Sequence, residues 1–428
     1  MIWLYRTSWL LFFPFLWIVS FGNKKLREGM RGRIQGWNRL QQSLAQKPHA
    51  HKRFWVHCAS AGELEQALPL LERVREAEPQ AFIALTCFSP SAFRAVQAER
   101  QRRSTAALSI PWDFADYLPW DFPWSTRRFL RTLQPTLGIL IQREFWPELL
   151  TQCHQQRVPL FLAAASLRTY PQPILRPFYK WSFRHFTLAG TIDVQTQQWI
   201  QHLAPQLNVQ VLGDPRAERV LQRRKQFLSQ SSWSSSLRSW PIFIGASLWE
   251  EDFSALLPTL RAAKQWLPQL RFVLVPHEPN ESRLLKWESR IQAAGFSSRR
   301  WTEFLTEPEQ LPDVIFVDQV GFLAELYSLA TWVFVGGSFK KRVHNIFEPL
   351  AYNCILITGP HIRNSPEASE LHLLGGLTVA SSPAELIQVT QPLFLNPEKQ
   401  ADARRQAHEF LQAKQACSAR YLQVILPQ

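Results

Sequence analysis

Cysteine is sparse and scattered. The chain holds five (Cys58, Cys87, Cys153, Cys354 and Cys417) in 428 residues, with no CxxC pair and no Cys/His cluster. That pattern argues against a zinc site and against an extracellular disulfide framework. At least the first three sit among apolar neighbours, as buried thiols of a reducing compartment do. The 30 prolines follow no repeat, which excludes a collagen-like or low-complexity chain. No GxGxxG is present, so the dinucleotide fingerprint is absent, and no GxxxxGK[ST] occurs, which argues against a P-loop NTPase. Near the N-terminus no A-x-A-like site follows the first apolar run, which argues against a cleavable signal peptide.

Acidic residues are also in deficit, 34 Asp+Glu against 48 Lys+Arg, for a formal net charge of +14. A basic chain favours an anionic partner: nucleic acid, a phosphorylated substrate or anionic lipid. Solubility through net charge is an equal alternative on composition alone. Hydrophobic residues at 46% exclude a disordered chain, and the length suits two or three domains. Eighteen Trp and 29 Phe beside two Met make an unusual apolar mixture. Trp and Arg together suit a membrane–water boundary.

Residues 8–21, SWLLFFPFLWIVSF, form an apolar run broken only by Pro14. Residues 1–60 carry ten basic side chains and a single acidic one, Glu28. The run is short for a bilayer span, although Ile2–Tyr5 nearly completes one. It either spans or lies in the interface as a Pro-broken amphipathic segment, with the basic cluster on the cytoplasmic leaflet. A buried first helix with a solvated basic end is the competing reading.

From residue 53 onward short apolar runs alternate with helical stretches. RFWVHCA, AFIALTCF, TLGILI, VPLFLAAAS, TLAGTID and VQVLG are six strand-like runs up to residue 213. A charged, Ser-rich stretch at 214–240 interrupts the rhythm. PIFIGAS, RFVLVPH, DVIFVD, WVFVGGS and CILITGP then restart it. This βαβ pattern predicts two successive α/β domains with mainly parallel sheets. The expected boundaries are a membrane segment at 1–22, a first domain at 23–214, a linker at 215–240 and a second domain at 241–428. In such sheets ligands bind outside the carboxyl ends of the strands, and two domains facing a cleft suit a two-substrate enzyme.

Several strand ends carry chemistry. HCASAGELEQ at 57–66 passes from a strand through Ala59-Ser60-Ala61-Gly62 into a helix, where Glu63 can act as a general base. On local sequence alone, a helix-start Glu stabilised by the dipole is the commoner meaning. QREFWPELL at 142–150 places Arg143 and Glu144 at another strand end, as a binding pair or as a surface ion pair. VPHEP ends a strand in His277-Glu278. In GGSFKKRVHNIFE at 336–348, Gly336 and Gly337 turn the chain and Lys340, Lys341 and Arg342 supply positive charge. Asn345 and Glu348 are three apart at a helix start, where they are expected to share a face. Glu348 can accept both hydroxyls of a ribose, with helix-start N–H groups on a phosphate.

The order of motifs resembles that of the 3-deoxy-D-manno-octulosonic acid (Kdo) transferases of Gram-negative bacteria. The resemblance covers nearly the whole chain: Ser60-Ala61-Gly62-Glu63, FSPS, YLPWD, EFWP and GDPRAERV in the first half. ASLWEED, PHEP, DQVGFLAELY, GGSF with HNIFE, and ITGPH continue it in the second. It implies a GT-B-type glycosyltransferase, two Rossmann-like domains facing a cleft behind a membrane-associated N-terminus. It implies transfer of Kdo from CMP-Kdo to a lipid A precursor, with inversion and no required metal or other cofactor. Glu63 would be the base and Glu144 a second carboxylate. His277, Glu278, Val320, Gly321, Phe322, Asn345, Ile346, Phe347 and Glu348 would bind the donor, Glu348 on the ribose. Ser60, Gly62, Ser247, Gly336, Gly337 and Lys341 would support them. The expected partners are CMP-Kdo, a lipid A precursor and anionic lipid at the cytoplasmic face of the inner membrane, with no obligate protein partner.

The chain departs from the family pattern in places. Many members have Arg-His where His277-Glu278 stand, Gly-Gly where Arg342-Val343 stand, and a Glu at the position of Phe322. One carboxylate of the E-x-E-x-W-P form is replaced in Gln142-Arg143-Glu144. These departures bear on donor selectivity. A related glycosyltransferase with another nucleotide sugar or acceptor, and a non-catalytic membrane-docked relative, are the alternatives. Nucleic-acid binding is the weakest reading, because the basic residues are spread rather than striped.

Overall fold

The alternating strands and helices assemble into two seven-stranded parallel sheets. The computed structural model describes residues 2–167, 169–230, 237, 240–307 and 311–426. The first sheet contains β1 (Arg53–Cys58), β2 (Phe82–Cys87), β3 (Phe114–Tyr117), β4 (Leu137–Ile141), β5 (Leu160–Ala165), β6 (Leu188–Thr191) and β7 (Asn208–Val211), in the order 3-2-1-4-5-6-7. The second contains β8 (Ile242–Leu248), β9 (Arg271–Pro276), β10 (Ser298–Arg300), β11 (Val314–Phe316), β12 (Trp332–Val335), β13 (Ile355–Thr358) and β14 (Leu377–Val379), in the order 10-11-9-8-12-13-14. Central strands are buried on both faces by helices, as their unbroken apolar runs require. In each sheet the strand order reverses beside its first strand, at β1/β4 and at β8/β12. Ligands of doubly wound sheets gather at such points.

The chain divides into two units, and the division differs from the expected boundaries. One unit runs to Arg219 and takes back the chain from Ala416; the other runs from Val220 to Gln415. The expected linker begins as a helix, Arg216–Gln230, which passes through the division. Its Ser-rich part at 231–236 and 238–239 lies outside the described residues. The terminal helix, Cys417–Ile425, completes the first unit instead of the second. Its Tyr421 is fully buried, accepts the Ala164 N–H at 3.0 Å and donates to the Gly213 carbonyl at 3.0 Å. Ala164 sits at φ +52° where β5 shifts register against β6, so Tyr421 satisfies an N–H that the ladder drops. Gly190 makes room for it: a Cβ there would lie 2.4 Å from the Tyr421 ring.

The N-terminal run forms one helix, α1 (Ile2–Gly22), continuous through Pro14. It is long and apolar enough to cross a membrane. Tyr5, Trp9 and Phe13 recur every four residues and so share a face. Trp9 and Phe13 pack on Trp120 and Phe122, with Phe13 and Phe122 centroids 4.9 Å apart. The Tyr5 hydroxyl donates to Asp121 at 2.8 Å, and Arg6 makes a bidentate pair with the fully buried Glu148 at 2.8 and 3.0 Å. The opposite stripe, Leu4, Leu11 and Ile18, is exposed. Next come α2 (Lys24–Ile34), capped by Asn23, and α3 (Gly36–Ala45). Much of the N-terminal positive charge is used inside the fold. Arg39 pairs with Asp116, Lys47 with Asp113 and Lys52 with Glu78, while Arg33 donates to the Leu118 and Phe88 carbonyls. Lys24, Lys25 and Arg31 remain on the surface.

Candidate active site

In the first unit the carboxylates expected at the reacting centre follow the two strands that flank the reversal point. β1 ends at Cys58 and the chain turns through Ala59 and Ser60 into α4 (Ala61–Ala77). Ser60 is the N-cap: its hydroxyl accepts the Glu63 N–H at 3.3 Å, and the Glu63 carboxylate accepts the Ala59 N–H at 2.6 Å. This reciprocal box is why Ser and Glu stand three apart. A carboxylate has two oxygens, so the box fixes Glu63 without consuming its capacity to take a proton. Gly62 is exposed in the first turn. Burial, and next the charge of Glu144, push the Glu63 carboxyl above its ordinary range.

β4 ends at Ile141, and Gln142 takes a left-handed turn (φ +63°) before Arg143 and Glu144. Glu63, Gln142, Arg143, Glu144, Phe145, Phe178 and Tyr179 line one pocket of about 360 Å³. Glu144 is not in a surface pair with Arg143. Its Oε2 accepts the Trp146 indole N–H at 2.7 Å and lies 3.4 Å from Nε2 of the buried His57, which has no hydrogen-bond partner. Behind His57, Thr86 Oγ1 accepts the Trp55 indole N–H at 2.8 Å and stands 2.9 Å from His57 Nδ1. The Thr86 carbonyl lies 3.1 Å from the same Nδ1, so Thr86 holds the ring through both its side chain and its backbone, with Nε2 facing Glu144. A second polar chain steadies the turn. The Gln142 amide donates to Gln66 at 2.8 Å, Gln66 donates to Asp214 at 3.2 Å, and Arg216 pairs with Asp214 at 2.6 Å. Asp121, from YLPWD, accepts the N–H groups of Glu148 and Leu149 at the start of α7 (Pro147–Gln155).

In the second unit the strands at the reversal point are β8 and β12. Ser247 lies at φ +53° near the end of β8, and Trp249 and Asp252 follow it. Gly336 sits so close to β8 that a Cβ would lie 2.6 Å from the Ser247 carbonyl. Gly337 turns at φ +85°. Asp252 ties the two strand ends together by accepting the N–H groups of Trp249 at 3.0 Å, Gly337 at 2.7 Å and Phe339 at 3.0 Å. The exposed His277 ring lies 4.6 Å from the Trp249 ring and 4.6 Å from His344, nearly parallel to the latter. Trp249 Nε1 donates to His344 Nε2 at 3.2 Å, and the Lys340 ammonium stands 3.5 Å over the Trp249 ring. Burial, with His277 and Arg342 nearby, depresses His344 to about 4; burial is also the main cause that lowers His277. Both rings are therefore neutral near pH 7, and the nearby positive charge comes from Lys340, Arg342 and Arg283.

The other expected donor residues divide by burial. Ile346 and Phe347 are fully buried, Phe347 against Phe410, so their side chains serve the core and cannot face a solvent-borne donor. Asn345 and Glu348 do not share a helix face. The helix begins at Phe347 and spans only five residues, and Asn345 precedes it with Oδ1 accepting the Phe347 N–H at 3.0 Å. Glu348 is half-buried, close enough to Tyr327 to raise that phenol. Val320 is exposed, Gly321 turns at φ +107°, and Phe322 leans on Trp301 with centroids 5.5 Å apart. Glu278 and Lys341 are exposed; the Glu278 carbonyl accepts from Arg283 at 2.6 Å. Sequence reasoning missed His57, Trp146, Trp249, Asp252 and His344 as site-forming residues. Trp249 and Asp252 lie in the ASLWEED motif, but an Asp in a first helical turn carries no further signal.

Comparison with known proteins gives a consistent result. A family profile described as "3-Deoxy-D-manno-octulosonic-acid transferase (kdotransferase)" matches residues 35–219. The 3-deoxy-D-manno-octulosonic acid transferase of Haemophilus influenzae is 28% identical over 386 residues, covering 87% of this chain and 86% of its own. That of Bordetella pertussis is 27% identical, covering 77% of this chain and 76% of its own. Among solved structures, the UDP-GlcNAc 2-epimerase of Neisseria meningitidis superposes with TM-score 0.63 at 12% identity, over 88% of this chain and 100% of its own. MurG of Acinetobacter baumannii does so with TM-score 0.52 at 12% identity, over 88% of this chain and 100% of its own.

Proposed function

We propose that this chain, which belongs to the Kdo transferase family, moves Kdo from CMP-Kdo to a hydroxyl of a lipid A precursor with inversion at the anomeric carbon. The observation that carries the reading is the pairing of Glu63 and Glu144 in one pocket outside the carboxyl ends of β1 and β4. A general base works best when its pKa lies near the working pH, and burial beside a second carboxylate moves Glu63 in that direction. Glu63 takes the acceptor hydroxyl's proton as that oxygen attacks, and CMP departs from the opposite face. Glu144, held by Trp146, keeps Glu63 basic and steadies the developing positive charge on the sugar. On the donor side, Lys340 and the backbone turn after β12 answer the charge of the CMP phosphate, with no metal or other cofactor.

The membrane reading rests on α1. Its exposed stripe is apolar while Tyr5, Arg6, Trp9 and Phe13 are engaged with the first unit. A helix bound to its own domain along its first half lies in the interface rather than across the bilayer. We place it at the cytoplasmic face of the inner membrane, where the surface lysines and arginine after α1 meet anionic lipid.

The test is in vitro transfer from CMP-Kdo, followed by mass measurement of the lipid product. Glu63→Gln is expected to abolish transfer while leaving folding and CMP-Kdo binding intact; unchanged turnover would overturn the assignment. Release of no CMP by the wild-type protein would instead support a non-catalytic relative.

A further inference from the structure

Two adjoining pockets in the first unit lie outside the carboxylate site and share Trp37, Trp124 and Arg128 in their walls. One, of about 570 Å³, runs along α6 (Pro123–Leu133) and α7 from Arg6 of α1, past Arg127, Arg128 and Arg131. The other, of about 380 Å³, is mainly apolar, with Ile34, Leu40, Phe114 and Phe129 among its walls. No carboxylate side chain lines either one.

The chemistry of the first is set by its arginines. Arg127, Arg128 and Arg131 are exposed on successive turns of α6. Arg127 donates to Gln152 at 3.3 Å, which aims its guanidinium into the groove. The Arg128 guanidinium lies 3.8 Å from the Trp37 ring centroid, a cation–π contact that leaves its edge N–H groups available. Arginine forks match phosphate oxygens in geometry as well as charge. The second pocket has Arg33 and Arg128 at its walls but is otherwise mainly apolar; it is within the usual size of a small-molecule site and suits an acyl chain. A charged groove opening directly onto an apolar pocket describes an amphiphile with an anionic head. Arg6, which lines the first pocket, belongs to the first turns of the helix whose outer stripe is exposed and apolar.

We propose that the paired pockets bind one anionic glycerophospholipid, with its phosphate on Arg127, Arg128 and Arg131 and part of one acyl chain between Trp37, Trp124 and Leu40. The inference rests on the membrane reading above but not on the transfer reaction. The bound lipid fixes the height and rotation of the first unit on the bilayer, whereas bulk electrostatic attraction would fix neither.

The test is native mass spectrometry of the detergent-purified full chain with soluble dioctanoyl phosphatidylglycerol. Dioctanoylglycerol, which has the same chains and no phosphate, and inorganic phosphate serve as the other probes. One phosphatidylglycerol is expected to bind. Arg127→Gln with Arg131→Gln is expected to weaken it at least tenfold, as is Trp124→Ala, which removes an exposed ring stacked on Phe122. Equal binding of dioctanoylglycerol would overturn the role of the phosphate. Displacement of the lipid by millimolar phosphate would overturn the role of the chain. Absence of binding, or binding unchanged in both variants, would overturn the proposal entirely. CMP release measured on the same samples separates the two readings: wild-type protein that binds no phosphatidylglycerol yet releases CMP sinks this inference alone, whereas lost binding with intact release in the variants supports it.

Discussion

The contact between Arg6 and Glu148 makes a demanding test of how α1 is held. Glu148 has no exposed surface and the Arg6 side chain is only 21% exposed, so the pair is largely screened from water. Replacing Arg6 by Met keeps the apolar stem and removes the charge. Removal of one partner of a buried pair costs about 3–5 kcal/mol, because the remaining charge stays desolvated. Gln152 still donates to Glu148 Oε1 at 2.8 Å, which places the expected loss at the lower end. A loss of about 3 kcal/mol multiplies the local opening constant about a hundredfold. The loss falls on the docking of α1, and the two-unit chain has no single unfolding free energy, so the assay must be local. Hydrogen–deuterium exchange on the full chain in nanodiscs reads the amides of α1 and of the first turns of α7. Arg6→Met is expected to speed their exchange about a hundredfold, and Arg6→Met with Glu148→Gln to return it to within about tenfold of wild type. A change below threefold in the single variant would refute the reasoning, since it would show that α1 is not docked through this pair.

Further expectations follow from the site. A base at Glu63, as proposed, acts as the anion, and burial and next Glu144 raise its pKa, so kcat/KM should fall on the acid side at a pH above the ordinary carboxylate value. Glu144→Gln removes the second cause of that shift and should move the residual activity's acid limb to lower pH; a stationary limb would contradict the coupling. Thr86→Val removes the acceptor of the Trp55 indole N–H and leaves His57 Nδ1 only the Thr86 carbonyl. It should reduce turnover about tenfold to a hundredfold with KM for the donor little changed, and equal effects on both would point to general misfolding. Burial raises Asp121 to about 6, the Tyr5 hydroxyl bond being the largest opposing effect. The stability this adds is present below its unfolded value of about 3.9 and lost as pH rises through 6, so wild type minus Asp121→Asn should decline by about 3 kcal/mol from pH 4 to 7. A flat difference in the local opening free energy, read by hydrogen exchange of the amides at the start of α7, would show that the donors around Asp121 outweigh its desolvation.

The sequence announced the sheet centres plainly and the sheet rims hardly at all. Every central strand is a continuous apolar run because helices cover both faces. The three unforeseen strands, Phe114–Tyr117, Ser298–Arg300 and Leu377–Val379, are all at sheet edges and only three or four residues long. Edge strands are half-covered and short, so neither length nor apolar continuity marks them. The site was legible where a motif joins a strand end to a helix start, as at Ser60–Glu63. It was not legible where partners are remote in sequence. His57 and Glu144 stand 87 positions apart, and the aromatic stack joins Trp249, His277 and His344 from three loops. Ile346 and Phe347 go the other way: the family resemblance carries them into a donor pocket, whereas the structure buries both side chains.

The return of the last helix to the first unit has a consequence for biosynthesis. Residues up to Arg219 leave the ribosome long before Tyr421 does, and the chain between them makes a whole second sheet. Until then the Ala164 N–H and the Gly213 carbonyl lack their shared partner, and the cavity beside Gly190 stands open. Domains commonly fold in order of synthesis; here the unit that begins first is finished last. A chain stopped short of Cys417 would carry a complete second unit on an unfinished first unit, so the first sheet waits for the terminal helix to be released and seated.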